Sequence, residues 1–167
     1  MKFKWVYLFL AFFLPIGLTF FLQFFGKSEF NIPVYYEKGI GADTLASECH
    51  YQYRAPYVIP DSVANKLAKG VTTAMLITID SGSLAKKNFD RVKEELTAGE
   101  FTFVLVNQAN SNSLLSCVLF LKGDWTTVLV DNHKRIRGYY NPAKREDADR
   151  LIAEMKILLK DFLKTAS

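Results

Sequence analysis

The chain reads as a small α/β sandwich, a sheet flanked by helices, set behind one N-terminal transmembrane helix. Three observations predict this. A run of 21 uncharged residues opens the sequence, two β-rich apolar segments bracket an amphipathic helix in the middle, and a strand pair with a long amphipathic helix closes it. Composition agrees: 50% of the 167 residues are hydrophobic and 23% are charged, which is enough apolar material to bury a core and too much for disorder. Two cysteines exclude a disulfide-dense scaffold.

The first 27 residues predict a membrane anchor. From Trp5 to Phe25 no residue is charged, and as a helix this run spans roughly 31 Å, the thickness of a hydrocarbon core. Pro15 and Gly17 weaken a soluble helix but are tolerated in a membrane one, and Trp5 and Tyr7 suit one interface. Lys2 and Lys4 before the run place the N-terminus in the cytoplasm and the rest of the chain across the membrane. The competing reading is a cleaved signal peptide. It requires small residues at the cut, whereas the run ends Phe20-Phe21-Leu22-Gln23-Phe24-Phe25. The lipid bilayer is therefore an expected partner. With Lys2, Lys4 and Lys27 assigned to the anchor, residues 28–167 keep 18 basic and 17 acidic groups. That balance carries no long-range field for phosphate backbones, so no nucleic-acid partner is expected.

Residues 28–60 read as an irregular tether in which Tyr35, Tyr36, Tyr51, Tyr53 and Tyr57 are interspersed with Pro33, Gly39, Gly41, Pro56 and Pro60. Aromatics this dense predict a segment packed on the following domain, 61–167. Asp61 or Ser62 is expected to cap a short helix that Gly70 closes. Val71 to Ile79 is apolar on both faces, as a central strand of a covered sheet is. Asp80-Ser81-Gly82-Ser83 turns into a helix whose stripe is Ala85, Phe89, Val92 and Leu96, ending at Gly99. Phe101 to Val106 is the second buried-type strand, so the unit is βαβ with parallel strands and a right-handed crossover.

Past a polar loop, Leu114 to Leu121 (LLSCVLFL) fits helix or strand. Thr126–Val130 and Arg135–Tyr140 flank a hairpin turn, Asp131-Asn132-His133-Lys134. Asn141 is expected to cap the last helix with Pro142 at its first position, and Leu151, Met155, Leu158 and Phe162 form its stripe. This order of elements is that of a thioredoxin-like domain, and it also fits other small α/β sandwiches.

From Thr126 to Tyr140 (TTVLVDNHKRIRGYY), and again from Lys144 to Lys160, the chain resembles the carboxyl end of SCO/SenC proteins. These are membrane-anchored thioredoxin-fold copper chaperones and thiol reductases that serve cytochrome c oxidase assembly. Leu129, Val130, Asp131, Ile136, Arg137, Gly138, Tyr139 and Tyr140 carry the likeness, which covers about 35 residues; the single anchor agrees with it. The resemblance implies a thioredoxin-like domain held in the periplasm by the bacterial inner membrane, with an integral membrane complex, respiratory or other, as partner. The family carries a C-x-x-x-C pair after the first core strand and a histidine before the hairpin, which together bind copper. Here those places read Asp80-Ser81-Gly82-Ser83-Leu84 and Lys122-Gly123-Asp124-Trp125. Cuprous copper requires soft thiolate and imidazole ligands together, so none of the family's ligands carries over, and neither a catalytic nor a cofactor-binding residue is assigned.

The remaining candidates are few. Cys49, His50 and Cys117 are the only relocated metal or thiol set on offer, for copper or for disulfide exchange. The plainer reading has Cys49-His50 as an incidental pair in the tether and Cys117 as a small buried hydrophobe; a Cys49–Cys117 disulfide is the sharper one. Asp80, Ser81 and Ser83 lack a histidine base and read as helix capping. His133 reads as a solvated turn residue and Lys134, Arg135 and Arg137 as a solvated edge. Gly39-Ile40-Gly41 lacks the third glycine of a dinucleotide loop. The expectation is a non-enzymatic, membrane-tethered domain without a cofactor, acting through protein contacts as an assembly factor or accessory subunit. The alternatives are a copper or thiol-disulfide carrier using Cys49 and Cys117, and a binding module built on the Tyr-rich segment.

Overall fold

The computed structural model describes residues 3–25, 31–44, 49, 52–69, 74–79, 83–96, 101–107 and 112–166. It divides into two compact units, Met1–Asn31 and Ile32–Ser167. The first is the helix α1 (Phe3–Phe25), with Pro15 inside it and the Thr19 hydroxyl donating to the Pro15 carbonyl at 2.7 Å. Leu10, Phe13, Leu14, Ile16, Leu18, Phe20 and Phe21 are exposed along it. Among the described residues no helix is long and apolar enough to cross a membrane. The side chains at 3–6, 8, 9, 12, 22, 24 and 25, Trp5 and Phe25 among them, lie outside the description.

The second unit is a mixed α/β body around one four-stranded sheet. Its elements are α2 (Asp61–Leu67), β1 (Ala74–Ile79), α3 (Ser83–Glu95), β2 (Phe101–Val106), α4 (Asn112–Cys117), β3 (Thr127–Val130), β4 (Ile136–Tyr140) and α5 (Arg145–Ala166). The strand order is β2-β1-β3-β4. β1 runs parallel to β2, Ala74 opposite Phe101, and antiparallel to β3, which pairs antiparallel with β4. Every residue of β1 is buried, as the doubly apolar run requires of a central strand covered on both sides.

Strand alternation then sorts the core. Met75, Ile77 and Ile79 share one face with Val128, Val130, Ile136 and Tyr139, under Leu115, Val118, Leu119 and Phe120. Ala74 and Leu76 share the other with Leu129 and Tyr140, under Val92 of α3, Leu96 just after it, and Leu151, Ile152 and Met155 of α5. Helices α3 and α5 pack together, with Lys156 Nζ on Glu95 Oε2 at 2.7 Å and Arg91 paired to Asp149.

LLSCVLFL, open between helix and strand in the sequence, begins inside helix α4 and leaves it after Cys117 as an irregular run. Several expectations are corrected. The first short helix has Pro60, not Asp61 or Ser62, at its N-cap with no side-chain cap; Asp61 instead pairs with Lys134. The last helix begins at Arg145, because Asn141 Oδ1 takes the Ala143 N–H at 3.0 Å and forms a turn ahead of it. Arg137 is not on a solvated edge. The segment after Ile32 covers β4, the Tyr35 N–H donating to the Ile136 carbonyl at 2.9 Å, and Arg137 is left 6% exposed. The expected tether is thus, from Ile32 onward, part of the folded unit. Val71–Thr73, Asp80–Gly82, Gly70 and Gly99 lie outside the described residues.

Candidate functional site

Cys49 and Cys117, which sequence favoured as separate, are joined in a disulfide across 68 positions with Cα atoms 5.4 Å apart. No free cysteine remains. The plainer readings of both residues fall with it. Their separation gave no sign of the pairing, because it depends on Cys49 and residues 52–57 lying over the end of α4.

That helix end explains what surrounds the bridge. Three residues past the end of α4, Phe120 adopts the left-handed conformation at φ 52°, and the Leu121 N–H reaches back to the Leu115 carbonyl at 2.9 Å. Three consecutive carbonyls past the last turn are left without helical donors. Each takes a tyrosine hydroxyl at 2.8 Å: Tyr53 donates to Cys117 O, Tyr57 to Val118 O and Tyr139 to Leu119 O. A bulky left-handed residue costs about 1–3 kcal/mol. Around Phe120 the rings of Tyr36, Tyr57 and Tyr53 stand at 5.0, 4.9 and 5.6 Å, the first two edge-on. Such pairs contribute about 0.5–1.5 kcal/mol each beyond area burial, so three of them offset the strain. Burial holds the Tyr139 phenol far above the ordinary tyrosine range and raises that of Tyr36. Both stay protonated at neutral pH, Tyr139 donating and Tyr36 accepting in the bond between them.

The hairpin residues that carry the family likeness are structural in this geometry. Asp131, 2% exposed, accepts the N–H groups of His133 and Arg135 on Oδ1, both at 2.9 Å, and on Oδ2 Arg135 Nε at 2.8 Å and Arg137 Nη1 at 3.3 Å. Arg137 Nη2 also donates to the Ile32 carbonyl at 2.6 Å, tying the hairpin to the start of the unit. Gly138 is required by Tyr140: a Cβ there would lie 2.2 Å from the Tyr140 hydroxyl. Tyr140 donates to Glu154 and lies under Arg150, whose guanidinium carbon is 4.8 Å from the ring centre; burial, then the Glu154 hydrogen bond, raises its pKa well above the usual range. Trp125, in the stretch where the family carries its histidine, stacks on Tyr139 at 4.9 Å.

His50, Asp80 and Ser81 lie outside the described residues, so their expected roles have no structural description. His133 is exposed in the hairpin turn, as expected. Among the described residues no three His, Cys, Asp or Glu side chains cluster as metal ligands. Copper does not fit the donor set that is described: a disulfide offers no thiolate, and Lys122–Trp125 offers no imidazole.

Sequence reading missed one feature beside the bridge. A half-open pocket of about 320 Å³ is lined by Gln52, Arg54, Pro56, Val58 and Pro60, with Tyr53, Tyr57 and Val118 beside them. The signal was an alternation within an extended run, Tyr57 and Ile59 buried and their neighbours outward, that the prolines obscured.

Comparison of the chain with protein-family models, with curated proteins and with solved structures finds no match.

Proposed function

We propose that the chain is a membrane-tethered, non-catalytic thioredoxin-like domain of SCO/SenC type that acts through protein contacts, as an assembly factor or accessory subunit of a respiratory or other envelope complex. The observation that carries this reading is the sheet itself: β1-α3-β2 with parallel strands, then an antiparallel hairpin and a terminal helix, in the order β2-β1-β3-β4. That order is compatible with a thioredoxin-like connectivity and supports the reading, as does the likeness of the Asp131–Tyr140 hairpin. The non-catalytic part rests on the cysteines. Both are committed to a bridge that fastens the Tyr-rich segment to α4, and the turn after β1 carries no thiol.

The anchor rests on the apolar run of α1. What supports it is the uncharged sequence from Trp5 to Phe25, together with the exposure of the described apolar side chains along that helix. Such an anchor places the domain outside the cytoplasm, where a disulfide persists. The test is affinity purification of the tagged full chain from solubilised membranes, with carbonate extraction of those membranes in parallel. An integral membrane complex is expected to co-purify and the chain to stay in the pellet. Tight binding of one Cu(I), abolished by Cys49→Ser, would overturn the reading.

A second reading, a thiol-disulfide carrier, is favoured by the asymmetry of the bridge: Cys117 is 3% exposed while Cys49 is only partly buried, so the Cys49 half is the less enclosed one. Mass spectrometry after alkylation, with and without mild thiol reductant, separates the two. A bridge that exchanges readily favours the carrier, and one that resists favours the staple.

A further inference from the structure

The pocket beside the bridge is built in a way that the proposed protein contacts do not use. Tyr57 and Ile59 point into the core, and their N–H groups pair with the Tyr36 and Lys134 carbonyls at 3.1 and 2.9 Å, which fixes that stretch of chain as a rigid wall. The hydroxyls of Tyr53 and Tyr57 are turned away, onto Cys117 O and Val118 O. What the tyrosines contribute to the pocket is therefore ring surface, continued by Pro56, Val58 and Pro60. Arg54 is the only charged residue among the lining residues, it is exposed, and no acidic partner meets it among the described residues. A single exposed guanidinium, with no acidic partner among the described residues, at an aromatic and proline wall suits a carboxylate carried on an apolar body, because its fork matches a carboxylate with two parallel hydrogen bonds. The volume sits at the lower end of small-molecule sites, which run from roughly 300 to 1,000 Å³.

We infer that this pocket binds a small apolar carboxylic acid, its carboxylate on Arg54 and its aromatic or short aliphatic body against Pro56, Val58 and the Tyr57 ring. The pocket is independent of the membrane partner and of any chemistry at the disulfide. The test uses the full chain in nanodiscs and ¹⁹F NMR of two probes, 3-fluorophenylacetate and its uncharged amide, with empty nanodiscs as the blank. Line broadening by the protein is expected for the acid, about tenfold weaker for the amide and about tenfold weaker for the acid in Arg54→Gln. Arg54→Lys is expected to fall between, since an ammonium keeps the charge and loses the fork. Arg54 is exposed and makes no hydrogen bond or ion pair with the described residues, so the variant is expected to keep the wild-type urea midpoint. Equal binding of acid and amide, or undiminished binding in Arg54→Gln, would overturn the inference. So would tighter capture of a peptide ending in Phe than of any free acid, since the occupant would then be a protein terminus.

Discussion

Breaking the Cys49–Cys117 bridge is the sharpest test of how the Ile32–Ser167 unit is held. The bridge closes a loop with a sequence separation of 68 residues. On the chain-entropy treatment, restricting an unfolded chain by a loop of that length is worth about 4 kcal/mol at 25 °C. Cys49→Ser with Cys117→Ala removes it without burying a new hydroxyl at the 3% exposed position. With a urea slope of about 2 kcal/mol/M, the unfolding midpoint is expected to fall by about 2 M. For a unit of this size the same loss lowers Tm by about 10–15 °C. The assay is equilibrium urea unfolding of the full chain in detergent, followed by tyrosine and tryptophan emission. The reduced wild type is measured beside the variant and is expected to match it. A midpoint shift below about 0.5 M would refute the reasoning, because residues 52–60 would then be held by their tyrosine hydrogen bonds and ring contacts alone.

Tyr139→Phe removes the donor to Leu119 O and the bond to the Tyr36 hydroxyl at 3.2 Å, leaving a buried carbonyl unpaired; a loss of about 1–3 kcal/mol is expected in the same urea assay. Asp131→Ala strands a buried guanidinium and is expected to cost about 3–5 kcal/mol, much of it recovered when Arg137→Met is added, which a double-mutant cycle reads directly. Gly138→Ala forces the Tyr140 ring out of place and is expected to cost about 1–3 kcal/mol, falling to near zero on a Tyr140→Ala background. In spectrophotometric titration, Tyr36, Tyr139 and Tyr140 are expected to ionise above the ordinary tyrosine range, since burial raises all three. A raised folded pKa means their contribution is intact below about pH 10 and declines as pH climbs beyond it, so urea midpoints are expected to be level from pH 7 to 9 and to drop above pH 10. Phenols that all titrate together near pH 10 in the folded chain would contradict the buried network.

The sheet was legible because its information is local. The unbroken apolar run ending at Ile79 needs no partner to read as a doubly covered strand, and the Phe89, Val92, Leu96 stripe announces a helix crossing one face of the sheet. The hairpin was legible too, with Asp131 starting its turn. The site was not. Whether Arg137 is solvated depends on a segment about a hundred positions earlier arriving to cover β4, and no periodicity in the hairpin records that. Cys49 and Cys117 are likewise ordinary until Cys49 and residues 52–57 lie across the end of α4. The Tyr53, Tyr57 and Tyr139 hydroxyls matter only because the chain leaves that helix through a left-handed Phe120, with the carbonyls of residues 117–119 without helical donors. Sequence by itself determined which stretches become strands and helices, since apolar spacing selects a period. Tertiary structure alone decided the bridge, the tyrosine caps and the Arg54 pocket, since each is a meeting of groups whose only common cause is the folded path between them.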